Sequence, residues 1–207
     1  MLAVRIKICG ITRVEDAYAL AQFGADAQGL VFYTKSPRYL SDLTNARAIA
    51  EAAGPFVTSV GLFVNPSAKW VNQVLAQVPI HLLQFHGDEH NDFCSAFARP
   101  FIKAVRMKPG LDIAATMQQY PDAQGFLLDT YKPGVPGGTG EAFDWSLSPT
   151  SSAKAWVLAG GLTAETIADA LAQTSPYGVD VSGGVESAPG VKCHSKMNDF
   201  IKRARGL

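Results

Sequence analysis

Hydrophobic positions along the chain fall into eight short runs rich in valine, isoleucine, leucine and phenylalanine, separated by alanine-rich stretches with helical periodicity. The runs begin roughly 20 to 30 residues apart, which suits one strand, one helix and two loops in each unit. Runs that are apolar throughout are typical of parallel strands covered on both faces. We therefore predict strands at 4–11, 27–33, 56–64, 81–86, 101–107, 125–130, 155–159 and 178–182.

The alanine-rich stretches between these runs predict helices at 14–23, 43–53, 68–77, 89–97, 112–120, 164–173 and 195–205. Ser41, Ser67 and Thr163 precede three of these helices and are residue types that cap helix N-termini, and Asp88 precedes the fourth helix. Residues 144–147 are expected to form only a short helix before a polar loop. Strand and helix thus alternate from one end of the chain to the other.

Eight such units predict a single domain over residues 1–207 that folds as a closed (β/α)8 barrel, the TIM barrel, because closure leaves no unpaired parallel edge. The alternative is an open doubly wound sheet, which usually has fewer strands and tends to carry the dinucleotide fingerprint G-x-G-x-x-G after its first strand. The chain has Cys9-Gly10-Ile11-Thr12 at that place instead. We therefore favour the barrel.

Composition indicates a compact globular protein without polyanionic partners. Hydrophobic residues make up 47% of the chain and charged residues 17%, so the chain can bury a large core. The 18 Lys and Arg residues balance the 18 Asp and Glu residues. This balance argues against nucleic acid and against a membrane surface as partners, since both attract basic proteins.

Cysteine usage indicates a reducing compartment. Cys9, Cys94 and Cys193 are an odd set without a C-x-x-C pair, which favours neither a disulfide framework nor a zinc ribbon. The first residues do not resemble a signal peptide, and no apolar run reaches the roughly 18–20 residues that cross a membrane. We expect a cytoplasmic protein in which Cys94 and Cys193 are structural.

Glycine pairs follow the seventh and eighth predicted strands, at the end of the barrel where active sites lie. Barrel enzymes often hold a phosphate between these loops, because glycine lets backbone N–H groups approach an anion. The glycine-rich loop after the sixth strand adds candidate donors. The alternative is that the glycines only make tight turns. The predicted phosphate-binding residues are Gly138, Thr139, Gly160, Gly161, Ser182, Gly183 and Gly184.

Cys9 and Asp129 lie at the ends of the first and sixth predicted strands, so a barrel places them across its mouth from each other. A carboxyl group against apolar walls favours its neutral form, as a general acid requires, and a thiolate can serve as a base. Such a pair beside a phosphate site suits proton-transfer isomerisation of a sugar phosphate. The alternative for Cys9 is a small buried apolar residue.

Arg38 and His86 also follow predicted strands. Arg38 has the planar fork that binds a carboxylate through two hydrogen bonds, and the alternative is a solvated loop arginine. His86 and His90 have a metal-ligand spacing, but Gly87 interrupts any helix that would carry both. We therefore expect no metal ion.

Seven motifs resemble, in order, those of the phosphoribosylanthranilate isomerase family: KICGIT at 7–12, SPRY at 36–39, LQFHG at 83–87, LD at 128–129, GGTG at 137–140, LAGGL at 158–162 and DVSGGVE at 180–186. The resemblance implies a (β/α)8 barrel acting in tryptophan biosynthesis without a metal or an organic cofactor. It implies an Amadori rearrangement of N-(5-phosphoribosyl)anthranilate, with Asp129 as acid and Cys9 as base. It further implies that Arg38 holds the anthranilate carboxylate and that His86 and Asp180 line the site.

One motif departs from the family pattern. The family usually has a second serine where this chain has Gly183, so one hydroxyl that would contact phosphate is missing while the backbone N–H is kept. We expect weaker phosphate affinity at worst, and no rise in the Michaelis constant when serine is restored.

Three other functions stay open at this point. A barrel isomerase acting on both tryptophan-pathway and histidine-pathway substrates resembles a pair of aspartates at the catalytic strand ends, and Cys9 argues against it. A thiol hydrolase would use Cys9, His86 and Asp129 as nucleophile, base and orienting group. A non-catalytic phosphate-binding barrel would need neither Cys9 nor Asp129. The expected partner is a small phosphorylated substrate, and we expect a monomer, with a homodimer as the alternative.

Overall fold

The computed structural model of the chain describes residues 4–108, 110–130, 145–149 and 152–207. Among these residues, eight parallel strands pair in sequence order and close into a barrel, which confirms the predicted fold. Each strand lies within its predicted run. The strands are β1 (Arg5–Cys9), β2 (Ala27–Val31), β3 (Thr58–Phe63), β4 (Leu82–Phe85), β5 (Phe101–Met107), β6 (Gly125–Thr130), β7 (Ala155–Leu158) and β8 (Gly178–Val181).

Pairing of β1 with β8 closes the barrel. Its register sets Lys7 opposite Asp180, and Lys7 Nζ lies 2.8 Å from Asp180 Oδ1. Both residues are buried. Opposite charges removed from water need each other as partners, so this ion pair ties the first strand to the last.

All seven predicted helices are present: α1 (Val14–Gln22), α2 (Leu43–Ala52), α3 (Ala68–Gln77), α4 (Asn91–Ser95), α5 (Ile113–Gln118), α6 (Ile167–Gln173) and α7 (His194–Arg205). Before β7 the described residues include one short 3-10 turn, Trp145–Leu147, where only a short helix is predicted. A hairpin that the sequence did not predict, β9 (Glu186–Ala188) with β10 (Val191–Lys192), follows β8. In the part of the chain that the structure describes, no helix has both the length and the apolar character needed to span a membrane.

Two helices, α4 and α6, begin two or three residues later than predicted because side chains hold the preceding residues in turns. Glu89 accepts a 2.7 Å hydrogen bond from the backbone N–H of Asn65, which keeps it in the loop before α4. Asp88 accepts from the Asn65 side chain and does not cap this helix, so that prediction is wrong. Thr163 Oγ1 accepts from the N–H of Thr166 and closes a turn, and α6 begins after it.

The predicted caps of α2 and α3 have different outcomes. Ser67 Oγ accepts from the N–H of Trp70, which confirms Ser67 as the N-cap of α3. The prediction for Ser41 is wrong: α2 begins at Leu43, as predicted, and the residue directly before it is Asp42. Asp42 is its N-cap and accepts from the N–H of Thr44 at 2.8 Å.

Successive side chains along each strand point to opposite faces of the sheet, so the core has an outer part, against the helices, and an inner part, inside the barrel. Side chains that face the helices form one large cluster around fully buried Ile8, Phe63 and Phe126. Side chains that face the barrel axis form two small clusters, of which one consists of Ile102, Ala104, Leu127 and Ala159 and the other of Cys9, Val31 and Leu62. These two clusters provide apolar surface inside the barrel, beside the buried ion pair of Lys7 and Asp180.

We predict that Asp42→Ala lowers the free energy of unfolding by about 1 kcal/mol, because α2 loses the acceptor that satisfies its first turn. Ser41→Ala is the matched control: Ser41 is exposed and is not the cap, so its removal should cost less than about 0.5 kcal/mol. Urea unfolding of both variants measures the difference. Equal losses would contradict the assignment of the cap.

Candidate active site

A cleft at the carboxyl ends of the strands brings most of the predicted site residues together. It is lined by Cys9, Arg38, His86, Asp129, Gly160, Gly161, Asp180, Ser182, Gly183 and Gly184. Gly138 and Thr139, also predicted to bind phosphate, lie outside the described residues. The strand ends therefore converge as the barrel hypothesis requires.

Asp129 is held on two sides. Its Oδ1 accepts a 2.8 Å hydrogen bond from the N–H of Thr130, and its Oδ2 lies 3.2 Å from His86 Nε2. His86 Nδ1 lies 3.2 Å from the side-chain nitrogen of Gln84, so both ring nitrogens are engaged. The Asp129 carboxyl group is thus held in one orientation by a backbone N–H on one side and an imidazole on the other.

These contacts bear directly on the thiol hydrolase hypothesis. That mechanism needs a hydrogen bond from the base His86 to the nucleophile Cys9. In the described structure His86 bonds to Gln84 and Asp129. The geometry therefore shows a carboxyl group next to an imidazole, and His86 is not the partner of Cys9 that this mechanism requires.

Cys9 is buried at the end of β1. Burial raises the pKa of its thiol, and the nearby ammonium group of Lys7 opposes that shift without reversing it. The thiolate that a base requires is therefore the minor form at neutral pH. Sequence reasoning offered burial of Cys9 only as the alternative to a chemical role, because the extent of burial depends on the assembled barrel.

Space beside Cys9 exists because the neighbouring strand has a glycine. Gly29 on β2 is paired with Cys9, and a Cβ atom there would lie 2.7 Å from Cys9 Sγ and 3.0 Å from Lys7 Nζ. A contact of 2.7 Å is shorter than Cβ atoms make in proteins, so the Cys9 side chain would have to move. Sequence reasoning missed Gly29 and gave Lys7 no role, although β-strand alternation places Lys7 and Cys9 on the same face.

Arg38 is fixed by an ion pair across the cleft mouth. Its Nε and Nη2 each donate a 2.7 Å hydrogen bond to Glu186, and Lys192 Nζ donates to Glu186 Oε1 at 2.9 Å. Although burial opposes it, hydrogen bonds from these two cations hold the pKa of Glu186 below its ordinary value. Glu186 thus occupies one edge of the Arg38 guanidinium group, which was predicted to bind a substrate carboxylate. Nη1 of Arg38 takes no part in that ion pair.

Gly10 lets the stem of Arg38 cross the end of β1. Gly10 has a left-handed φ of 76°, and a Cβ atom there would lie 2.3 Å from Arg38 Cδ. Only glycine adopts this conformation without strain and leaves room for the arginine. The guanidinium group is therefore placed over the cleft by a backbone feature as well as by Glu186.

The glycine loops after β7 and β8 pack directly on each other. A Cβ atom on Gly184 would lie 2.0 Å from the carbonyl oxygen of Leu162, so the two backbones touch there. Gly160 and Gly161 both have positive φ values, 85° and 64°. The loops therefore present closely spaced backbone groups to the cleft, the arrangement that binds an anion through N–H donors.

Comparison with known proteins identifies the family. A family model described as N-(5'phosphoribosyl)anthranilate (PRA) isomerase matches residues 6–203. The N-(5'-phosphoribosyl)anthranilate isomerase of Pseudomonas paraeruginosa is 60% identical over 205 residues, which cover 99% of this chain and 97% of that one. The chain belongs to the phosphoribosylanthranilate isomerase family.

Solved structures of the phosphoribosylanthranilate isomerase family share the fold over the whole chain. The Thermotoga maritima protein is 40% identical, with a TM-score of 0.88 and coverage of 99% of this chain and 100% of that one. A structure in complex with reduced 1-(o-carboxyphenylamino)-1-deoxyribulose 5-phosphate is 38% identical, with a TM-score of 0.83 and the same coverage. Membership makes the chain an isomerase and removes the non-catalytic barrel from the alternatives.

Neighbouring glycines in the loop after β8 should respond differently to a side chain. Gly184→Ala should lower the free energy of unfolding by about 1–3 kcal/mol, because its Cβ would overlap the Leu162 carbonyl. Gly183→Ser is the matched control, since a Cβ there meets only Arg38 Nη2 at 3.6 Å, and its change should stay within about 0.5 kcal/mol. Thermal or urea unfolding distinguishes them. A destabilised Gly183→Ser protein would contradict the described loop packing.

Proposed function

We propose that Cys9 and Asp129 catalyse the family's reaction in this cleft. The chain is an isomerase of tryptophan biosynthesis that converts N-(5-phosphoribosyl)anthranilate into 1-(2-carboxyphenylamino)-1-deoxyribulose 5-phosphate. The observation that carries the assignment is that Cys9 and Asp129 line one cleft together with two glycine loops. A base, an acid and an anion site are what an isomerisation of a phosphorylated sugar needs.

Asp129 supplies the first proton. Its carboxyl group protonates the ribose ring oxygen, the bond from C1 to that oxygen breaks, and the lone pair of the anthranilate nitrogen forms a C1=N bond. The contact with His86 at 3.2 Å and the hydrogen bond from Thr130 hold the carboxyl group in one orientation for this transfer. The product of the step is an open-chain Schiff base.

Cys9 takes the second proton. Its thiolate removes the proton from C2, the electrons of that C–H bond form C1=C2, and the C=N π electrons return to nitrogen. The resulting enolamine tautomerises to the ketone. Reactant and product have the same atoms and oxidation level overall, so the steps require neither an oxidant nor a reductant.

Each of the two substrate anions would have its own set of residues in the cleft. Backbone N–H groups of the loops after β7 and β8 would hold the phosphate, at Gly160, Gly161, Ser182, Gly183 and Gly184. Arg38 would hold the anthranilate carboxylate, using the guanidinium edge that Glu186 leaves free. His86 and Asp180 would line the space between these anions. Gly138 and Thr139 remain candidates from sequence.

Localisation and assembly stay predictions. We propose a cytoplasmic protein on the evidence of its cysteine usage. We also propose that the chain works as a monomer, because the cleft already contains the acid, base and anion-binding residues that the proposed reaction needs. A homodimer is the alternative.

Removing either proposed proton carrier should abolish most of the turnover. Cys9→Ala and Asp129→Asn should each lower kcat by about 10²–10⁴-fold, because each removes one general acid or base. The Michaelis constant should change little, since the anion contacts remain. The assay follows the fluorescence of phosphoribosylanthranilate, which decreases as it is rearranged.

Cys193→Ser is the matched control for the cysteine. Cys193 directly precedes α7 and is not among the residues that line the described cleft; its Sγ lies 3.2 Å from Ser195 Oγ, and its thiol has no part in the proposed steps. It should keep wild-type turnover. Near-wild-type kcat in either Cys9→Ala or Asp129→Asn would show that the acid and base are assigned wrongly.

A further inference from the structure

Lys7 is a buried charged residue to which the proposed mechanism gives no task. It lies two residues before Cys9 on β1 and therefore on the same, inward face of the strand. Only 7% of the residue is exposed. Burying an ammonium group is costly, so a lysine at this position calls for a physical reason.

The Lys7 ammonium group and the Cys9 thiol both lie next to Gly29, which shows how close they are to each other. A Cβ atom on Gly29 would contact both Cys9 Sγ, at 2.7 Å, and Lys7 Nζ, at 3.0 Å. The two atoms thus border the same small space, within the roughly 4–6 Å over which a cation stabilises a neighbouring anion. Asp180 approaches Nζ at 2.8 Å from β8.

We propose that Lys7 is a positioning residue for the base: its positive charge stabilises the thiolate of Cys9. Asp180, which pairs with Lys7, reduces this stabilisation. The inference rests on the proposed role of Cys9. It gives Lys7 and Asp180 opposite effects on one atom, although they form a single ion pair.

The charges around Cys9 support opposite effects. Besides burial, the pKa of the thiol is lowered by Lys7 on β1 and by Lys192 on β10, and it is raised by Asp180 on β8. Arg38, from the loop after β2, also interacts with Cys9. Although burial opposes it, Asp180 and Cys9 keep the pKa of Lys7 above its ordinary value, so Lys7 carries its charge throughout the working pH range.

A purely structural ion pair makes a different prediction. If Lys7 and Asp180 only tied β1 to β8, loss of either partner would loosen the same contact. Both substitutions would then disturb Cys9 in the same direction. The sign of the two effects therefore separates the two roles.

The test measures alkylation of Cys9 by iodoacetamide as a function of pH, in the full-length protein, with mass spectrometry of the peptide that contains Cys9. The midpoint of the pH profile is the readout, because the reactivity of a thiolate also changes with its pKa. Lys7→Met should move the midpoint upward by about one pH unit or more, and Asp180→Asn should move it downward. Lys7→Arg should restore a midpoint close to that of the wild type.

The pH dependence of kcat should shift in the same direction as the alkylation midpoint. The pH at which kcat reaches half of its maximum should rise in Lys7→Met, so at pH 7 its kcat should fall about tenfold for each unit of displacement and recover at alkaline pH. Lys103→Met is the matched control, since Lys103 is equally buried and pairs with Glu89 at 3.0 Å. Its Cys9 midpoint should not move.

An unchanged midpoint in Lys7→Met, or displacements of the same sign in Lys7→Met and Asp180→Asn, would overturn the inference. If Lys7→Met does not fold, Asp180→Asn decides: a lowered midpoint supports the inference and an unchanged or raised one overturns it. Failure of the proposed function is distinguishable, because it would appear as turnover in Cys9→Ala whatever the alkylation profiles show.

Discussion

Pairing of β1 with β8 closes the sheet and also builds one side of the site. The register sets Lys7 opposite Asp180. Two residues further along, Cys9 at the end of β1 and Ser182 just after β8 both line the cleft. Ser182 Oγ donates a 3.0 Å hydrogen bond to the carbonyl of Cys9, which repeats the connection between the strands at the mouth. A shift in this register would turn these side chains away from the barrel axis, so closure and chemistry depend on the same contacts.

Other strands supply the rest of the site. For the binding of an anion, the local charge of these residues matters more than the net charge of the chain. Asp129 and His86 come from β6 and the end of β4, across the mouth from Cys9. Arg38 and Lys192 share the single carboxylate of Glu186, so this cluster keeps an excess positive charge although the chain has a net charge of zero. An anionic substrate is thus compatible with a neutral protein.

Sequence predicted the barrel well because its strands are apolar on both faces and regularly spaced. That Cys9 and Asp129 line one cleft could be predicted because barrel topology brings strand ends together. Helix starts were missed where a side chain such as Glu89 bonds to the backbone of another loop. The Arg38–Glu186 pair was missed because its partners are 148 residues apart and meet only through a hairpin without a clear sequence pattern. Burial of the Cys9 thiol likewise arises only in the assembled fold.

We propose that an acid, a base and two anion-binding loops act on one substrate held in a single orientation in the cleft. The decisive measurement is a crystal structure of this protein with reduced 1-(o-carboxyphenylamino)-1-deoxyribulose 5-phosphate. We expect the phosphate on the loops after β7 and β8, the carboxylate at Arg38, and sugar C2 in contact with Cys9 Sγ. A ligand bound in the reverse direction, or with C2 out of reach of Cys9, would contradict this proposal.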